Sequence, residues 1–192
     1  MIELKDVNVS FGDHKVLSNL SLTIPLQGTT VIYGPSGSGK TTLLRTIMGL
    51  QKPTRGKISG LEGKQLSVVF QEDRLLPWQT AKENVAQVSD DETAQKWLNF
   101  LGLAEAANQK PKELSGGMNR RVAIARALAY GGDMLVLDEP FAGLDDAAKA
   151  VSAKAILSAG MPILLVTHSR EEAALLAVAR SIELTKTGQL PR

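Results

Sequence analysis

Hydrophobic residues follow two patterns along this chain. Apolar and polar positions alternate over residues 2–9 and 20–24, which predicts strands with one buried face, joined by a turn at 11–14. We expect these antiparallel strands to lie beside the strand at 29–33. Apolar or β-branched runs without alternation instead predict strands covered on both faces. Such runs occur at 29–33, 66–70, 134–137 and 163–166.

Helical spacing takes over between about residues 71 and 130. Three segments there have helical periodicity, and a fourth helix begins at Asp145; the predicted helices are 80–88, 91–101, 117–129 and 145–159. Buried strands separated by helices imply a parallel sheet. We therefore predict an α/β fold with a mostly parallel central sheet, an antiparallel β subdomain and an inserted helical lobe. The predicted organisation is a single domain over 1–192, with a core at 1–70 and 131–192 and the lobe at 71–130.

Composition narrows the function classes. The chain has 192 residues, 43% of them hydrophobic and 22% charged, which is ordinary for a globular protein. Net charge is +2 without a stripe of Lys or Arg, so we expect no nucleic acid partner. Cysteine is absent, so disulfides and thiolate metal sites are excluded. The N-terminus has neither a signal peptide nor an apolar span, so we expect any membrane component to be another chain.

A glycine-rich loop follows the strand predicted at 29–33. It fits the pattern G-x-x-x-x-G-K-[ST], with fixed residues at Gly34, Gly39, Lys40 and Thr41. Glycines let consecutive N–H groups face one anion, and the helix N-terminus adds its positive end. Lys40 would reach the β- and γ-phosphates of a nucleotide, and the Thr41 hydroxyl would hold Mg²⁺. A plain glycine turn with an exposed lysine is the alternative, which the flanking strand and helix disfavour. The predicted contacts are Gly34, Pro35, Ser36, Gly37, Ser38, Gly39, Lys40, Thr41 and Thr42.

Two carboxylates end the strand predicted at 134–137. Ligands of parallel sheets collect at the carboxyl ends of strands, so Asp138 is placed to hold Mg²⁺ directly or through water. Glu139 points elsewhere by strand alternation and can act as the general base for a water aimed at the γ-phosphate. Acidic residues also follow core strands simply because loops are solvated. The phosphate loop makes the metal and base roles the better interpretation.

Ser115, Gly116 and Gly117 precede a long apolar helix. Ser115 is a natural N-cap, which is a sufficient structural role. Two glycines at a helix start each cost about 1 kcal/mol relative to alanine. A second phosphate contact, made by a helix N-terminus and a serine hydroxyl, would explain them.

The set of motifs resembles the ATP-binding subunits of ABC transporters, P-loop NTPases, over nearly the whole chain. The order and approximate spacing are similar for the phosphate loop, Gln71, residues 114–118, Asp138 with Glu139, residues 143–145, and Thr167 with His168. The set is more specific than any single motif, because few other ATPases combine a Ser-Gly-Gly signature with this loop.

The resemblance implies roles for particular residues. Family members sandwich two ATP molecules in a head-to-tail dimer, so Ser115 and Gly117 would contact the γ-phosphate held by the partner's Lys40. Gln71 is similar to the glutamine that touches Mg²⁺ and the attacking water and reports to the membrane subunit. His168 is similar to the switch histidine that contacts the γ-phosphate.

Phe11 and Asp145 carry resemblances with plain alternatives. Phe11 stands where members of the family have an aromatic ring stacked on adenine. The alternative is that its ring packs in the core or in the hairpin. Asp145 resembles the residue that couples the two sites across the dimer, although capping its helix would suffice. Asn119 and Ser169 depart from the family's frequent glutamine and aspartate without removing a catalytic function.

The segment after Gln71 favours one subgroup. Its Leu75, Leu76, Pro77 and Trp78 resemble importers of the nitrate, sulfonate and taurine group, where this region faces the membrane subunit. An exposed Trp78 would suit such an interface, whereas a buried one would pack the lobe. We therefore expect an ATPase that powers an importer of a small solute and acts as a homodimer or as one of a pair of cassettes. Its direct partners would be transmembrane permease subunits, and a solute-binding protein would be an indirect partner. It would lie peripherally at the cytoplasmic face of the inner (plasma) membrane. Soluble non-transport ABC ATPases and separately encoded exporter cassettes are the alternatives.

Overall fold

The computed structural model describes residues 1–185 and 188–191, and the chain divides into two compact units. Unit 1 comprises Met1–Leu66 and Pro162–Arg192, and unit 2 comprises Ser67–Met161. Strands and helices are numbered in chain order: β1 Ile2–Phe11, β2 His14–Ile24, β3 Thr29–Tyr33, α1 Lys40–Ile47, β4 Arg55–Ser59, β5 Leu66–Val69, α2 Ala81–Ala86, α3 Asp91–Phe100, α4 Gly116–Tyr130, β6 Met134–Asp138, α5 Asp146–Ser158, β7 Ile163–Val166, α6 Arg170–Ala174 and β8 Val178–Glu183.

Unit 1 contains an antiparallel sheet in the order β2-β1-β4. Its inner face is apolar because Ile2 and Leu4 point inward on one side of an irregularity in β1, and Val7 and Val9 point inward on the other side. The prediction that these strands lie beside β3 is wrong, because they form a sheet of their own. Alternation predicts a half-buried strand, but it does not identify the strand with which that strand pairs.

The neighbours of β3 within unit 1 are β7 and β8, both parallel to it. Ile32 stands opposite Val166 on one side and Ile182 on the other. Strand β8 was not predicted, since four of its six residues are exposed or nearly so and it has no apolar run. Helix α6, which has five residues, was also missed; it is shorter than the windows in which helical periodicity can be recognised.

Unit 2 contains the predicted helices and the fully buried strand β6, beside β5. Helix α2 is shorter than the predicted 80–88 because Thr80 caps it and the chain leaves it after Ala86. Helices α3, α4 and α5 lie within a residue or two of their predicted bounds. Side chains cap all four N-termini: Thr80, Asp90, Ser115 and Asp145 each accept from a backbone N–H. Among the described residues no helix is long and apolar enough to cross a membrane.

Candidate functional site

The phosphate loop, residues 34–42, connects β3 to α1 in unit 1. Gly39 is the N-cap of α1 in the left-handed region at φ 87°, and a Cβ there would lie 3.0 Å from side-chain atoms of Leu17 and Val16. A Cβ on Gly34 would lie 2.5 Å from Ser38 Oγ. Gly39 is therefore required by its conformation and by space, and Gly34 by space alone.

Lys40 folds back over the loop that precedes it. Its Nζ donates to the carbonyls of Gly34 at 2.7 Å and Pro35 at 3.0 Å. The Ser38 side chain lies buried in the same loop, with no hydrogen-bond partner for its Oγ among the described residues. A cation and a buried hydroxyl beside the N-terminus of α1 form an environment suited to a phosphate oxygen. The remaining predicted contacts are Pro35, Ser36 and Gly37, which are exposed, and Thr41 and Thr42, which are half-buried.

His168 follows β7 by two residues and is exposed. Because β3 and β7 are parallel neighbours with Ile32 opposite Val166, Gly34 and His168 leave the same edge of this sheet. Register therefore brings the histidine and the phosphate loop together. Phe11 ends β1 in the other sheet of unit 1 and is 52% exposed, which excludes core packing for its ring.

Asp138 and Glu139 follow one another at the carboxyl end of β6 in unit 2. Asp138 is 5% exposed, and a carboxylate so deeply buried is stable only beside cations or hydrogen-bond donors. Glu139 is half-buried and has φ 49°, in the left-handed region. That conformation costs a non-glycine residue about 1 kcal/mol or more and is concentrated at functional sites.

Ser115, Gly116 and Gly117 begin α4. Ser115 Oγ accepts from Met118 N at 3.2 Å, which confirms its capping role. Neither glycine has a positive φ, and no heavy atom of the described residues lies within 4 Å of a Cβ built on Gly116. On Gly117 a Cβ would make only ordinary contact, at 3.4 Å from Gly143 O. Internal packing therefore does not explain these glycines, and the open helix start is accessible to another molecule.

Asp145 caps α5, since its Oδ1 accepts from Ala148 N at 2.8 Å. The plain structural role predicted for this residue is thereby confirmed. Gln71 is exposed two residues beyond the end of β5. Trp78 is 67% exposed, so its ring does not pack the interior of unit 2.

The sequence interpretation missed three polar residues that hold the backbone around Gln71. Arg120 and Arg126 of α4 and Asn84 of α2 donate to main-chain carbonyls between residues 70 and 80. Burial raises the pKa of the Asp73 carboxyl, and the nearby Arg120 and Arg126 only partly oppose that shift. Burial likewise lowers the pKa of the Arg126 guanidinium, against the opposing effect of Asp73. The available signal was the presence of arginines, Arg120 and Arg126 among them, in a helix whose other residues are mostly apolar.

The predicted Mg²⁺ ligands are the Thr41 hydroxyl, the Gln71 amide and a single carboxylate, Asp138. Among residues 1–185 and 188–191 no group of three or more His, Asp or Glu side chains forms a metal cage. This sparse set of oxygen ligands is the kind that Mg²⁺ uses when nucleotide phosphates and water complete its coordination. Oxygen ligands of this kind are chemically suited to Mg²⁺, and their assignment to one ion stays a prediction.

Comparisons with known proteins agree with these features. Residues 17–142 match the model of the family described as ABC transporter. The aliphatic sulfonates import ATP-binding protein SsuB 2 of Pseudomonas syringae pv. tomato is 39% identical over 176 residues, covering 88% of this chain and 75% of the relative. SsuB 1 of Rhodococcus jostii is 40% identical over 197 residues, covering 97% of this chain and 80% of the relative.

The fold agrees equally well. A dimeric post-hydrolysis state of an ATP-binding cassette bound to ADP and Pi matches with a TM-score of 0.87 at 30% identity, covering 100% of this chain and 97% of that chain. The predicted α/β P-loop fold is thereby confirmed. With the phosphate loop, the signature glycines and the strand-end carboxylates in place, the chain belongs to the ATP-binding, ATP-hydrolysing proteins of the ABC transporter family.

Proposed function

We propose that this chain hydrolyses Mg²⁺-bound ATP to power an importer of a small solute. The observation that carries the proposal is the phosphate loop, where Lys40 Nζ lies 2.7 Å from the Gly34 carbonyl at the N-terminus of α1. An ammonium held in that place would exchange its carbonyl partners for β- and γ-phosphate oxygens. Such exchange supplies charge stabilisation, which phosphoryl transfer needs more than covalent chemistry.

The residues of unit 1 would bind and orient the nucleotide. Backbone N–H groups of residues 34–42 would hold the phosphates, and the buried Ser38 hydroxyl would donate to one of their oxygens. Phe11, with 52% of its surface exposed, would stack on the adenine ring. His168 would contact the γ-phosphate from the end of β7.

The residues of unit 2 would promote the attack of water. Glu139 would accept the proton of the attacking water, while Gln71 orients that water. Mg²⁺, held by Thr41, Asp138 and Gln71, would supply positive charge to the β- and γ-phosphates. The water oxygen would form a bond to the γ-phosphorus as the bond from that phosphorus to the bridging oxygen breaks, and ADP and inorganic phosphate would leave.

The open start of α4 supports a dimer. Ser115 caps the helix, but packing within the described chain does not explain Gly116 and Gly117, and a γ-phosphate bound to a second copy would fit this helix N-terminus. The chain would then act as a head-to-tail homodimer or as one of a pair of cassettes. The dimeric state of the structural relatives supports this arrangement.

The transport role rests on the relatives. Those named above are import ATP-binding proteins for aliphatic sulfonates, so we propose transmembrane permease subunits as the direct partners and a solute-binding protein as an indirect one. The chain would lie at the cytoplasmic face of the inner (plasma) membrane, held there by the permease. The exposed Trp78 would belong to the surface that meets it.

The decisive test replaces Glu139 with Gln. We expect ATP hydrolysis to fall by about 10³-fold, the scale of a lost general base, with ATP affinity changed by less than about 3-fold. The variant should also run as a dimer on a sizing column with Mg²⁺ and ATP. Glu105→Gln, an exposed carboxylate of the same unit, serves as the control. Full hydrolysis by Glu139→Gln would remove Glu139 as the base.

A further inference from the structure

Residues 70–80 carry Gln71 and Trp78 between β5 and α2 and form neither helix nor strand. An irregular segment has backbone carbonyls that no ladder satisfies, so their partners must come from elsewhere. In unit 2 those partners are side chains of two helices. The segment has few hydrogen bonds of its own, such as Gln79 N to Leu76 O, and is held mainly by hydrogen bonds from these helices.

Arg120 holds the first part of this segment. Its Nη1 donates to the Phe70 carbonyl at 2.7 Å and its Nη2 donates to the Gln71 carbonyl. Its Nε lies 3.2 Å from Asp73 Oδ1. The residue is only 6% exposed. Its buried charge is stable because hydrogen bonds to the two carbonyls and the ion pair with Asp73 compensate for the loss of water. One guanidinium thus fixes the backbone on both sides of the Gln71 Cα.

Arg126, almost two turns further along α4, holds the next residues. Its Nη2 donates to the Asp73 carbonyl and its Nη1 to the Arg74 carbonyl, both at 2.9 Å. The Arg74 guanidinium lies over the Phe70 ring at 4.0 Å from its centre, which folds the segment back on itself. Two arginines of one helix therefore donate to four carbonyls of the segment.

Asn84 of α2 holds the second part. Its Oδ1 accepts from Leu76 N at 2.7 Å, and its Nδ2 donates to the carbonyls of Leu76 at 3.1 Å, Gln79 at 3.3 Å and Thr80 at 3.0 Å. The side chain is fully buried. Asn84 therefore fixes the backbone on both sides of Trp78, whose ring is exposed.

Arg121 is the natural comparison on the same helix. It also captures a carbonyl, donating through Nη1 to Leu101 O at 2.8 Å, and it contacts its own helix at Gly117 O. Among the described residues its hydrogen bonds go to Leu101 and Gly117 and not to residues 70–80. Helix α4 therefore uses one arginine to hold the lobe and two to hold the Gln71 segment.

We propose that Arg120, assisted by Arg126, is a positioning residue that fixes Gln71 to α4, the helix whose N-terminus is the Ser115-Gly116-Gly117 signature. This inference rests on the function proposed above. A displacement at the start of α4 would therefore also displace Gln71 and Trp78. The signature residues need not contact Gln71 or Trp78 for this to occur. The planar fork of arginine is required, because a lysine can neutralise Asp73 but cannot donate to two carbonyls in fixed directions.

The test compares Arg120→Lys and Arg126→Lys with Arg121→Lys. Backbone hydrogen exchange in the nucleotide-free chain should accelerate at least about 10-fold over residues 71–76 in the first two variants and stay unchanged there in the third. In steady-state hydrolysis, Arg120→Lys should lower kcat by about 10-fold and change the KM for ATP by less than about 2-fold. Arg121→Lys should not show that split between kcat and KM.

Unchanged exchange over residues 71–76 in Arg120→Lys would overturn the proposal. It would also be overturned if exchange accelerated without a fall in kcat, or if Arg121→Lys lowered kcat equally at equal loss of Tm, since the role would then be structural. Failure of the proposed function would be visible separately as a lack of hydrolysis in the unchanged chain. The exchange comparison would then still decide whether Arg120 fixes the segment.

Discussion

The phosphate loop of residues 34–42 and the segment of residues 70–80 both carry predicted site residues on irregular backbone, but they are held in opposite ways. The loop is fixed by itself: Ser38 N donates to Pro35 O at 3.1 Å, and Lys40 donates to two carbonyls of its own loop. The segment is fixed by Asn84, Arg120 and Arg126, of which the arginines lie about 50 positions away in the chain.

This difference determines how each region responds to substitution. A self-contained loop loses function when one of its own residues changes, and the rest of its unit remains folded. A segment held by distant side chains is disturbed by changes in helices that contact no ligand. Because α2 and α4 hold residues 70–80, a movement of either helix can also move that segment. The hydrogen bonds within residues 34–42 give no such link to a distant helix.

The largest expected effect is that of Lys40→Ala on the loop. The ammonium is the charge offered to the β- and γ-phosphates, so hydrolysis should fall by about 10³-fold, the scale of a lost electrostatic contact in phosphoryl transfer. Thermal unfolding should shift little, because the Pro35 carbonyl is exposed and the Gly34 carbonyl is only partly buried, so water can replace Lys40 as their partner. Lys52→Ala, an exposed lysine of the same unit, is the control for hydrolysis. Full activity in Lys40→Ala would contradict the assigned role.

Asn84→Ala should give the largest loss of stability. The substitution leaves the Leu76 amide and three carbonyls without their side-chain partner, and we expect a loss of about 2–4 kcal/mol in unfolding free energy. Urea unfolding measures this loss. Asn99→Ala, at an exposed helical asparagine, should cost less than about 0.5 kcal/mol. Equal losses in the two variants would mean that Asn84 does not hold the segment.

Gly39→Ala tests the loop's own conformation. At φ 87° a methyl group costs about 1–2 kcal/mol, and contact at 3.0 Å with Leu17 and Val16 adds to it. The matched control is Gly131→Ala, which has φ 64° and no described heavy atom within 4 Å. Urea unfolding should therefore show a larger loss for Gly39→Ala than for Gly131→Ala. The difference isolates the packing cost from the backbone cost.

The smallest effect concerns the pH dependence contributed by Asp73. Burial raises the pKa of this carboxyl in the folded chain above its value in the unfolded chain. Ionisation of Asp73 therefore lowers the free energy of unfolding at a pH above the folded pKa, and this loss is recovered as the pH falls through that pKa. Relative to Asp73→Asn, the unchanged chain should therefore lose stability as the pH rises through the range just above the ordinary pKa of aspartate. Urea unfolding at several acidic pH values measures this difference. A gain with rising pH would mean that the arginines outweigh the burial.

Local patterns predicted much of the fold and of the candidate site. Several elements could be predicted because each depends on residues that are close in the chain. They are the alternating strands β1 and β2, the unbroken apolar strands β3, β6 and β7, and the capped helices. The phosphate loop was readable for the same reason, since its glycines satisfy constraints imposed within a few residues. The division of roles among the carboxylates, His168 and Gln71 stays a prediction.

Pairing and long-range polar contacts could not be read in this way. The antiparallel strands were expected beside β3, whose neighbours within unit 1 are β7 and the largely exposed β8. Arg120, Arg126 and Asn84 gave no local signal of a partner at residues 70–80. Short-range periodicity indicates which side of a helix or strand is buried. The partner of a strand edge or of a buried guanidinium depends instead on which backbone groups, distant in the chain, lie beside that edge or guanidinium after folding.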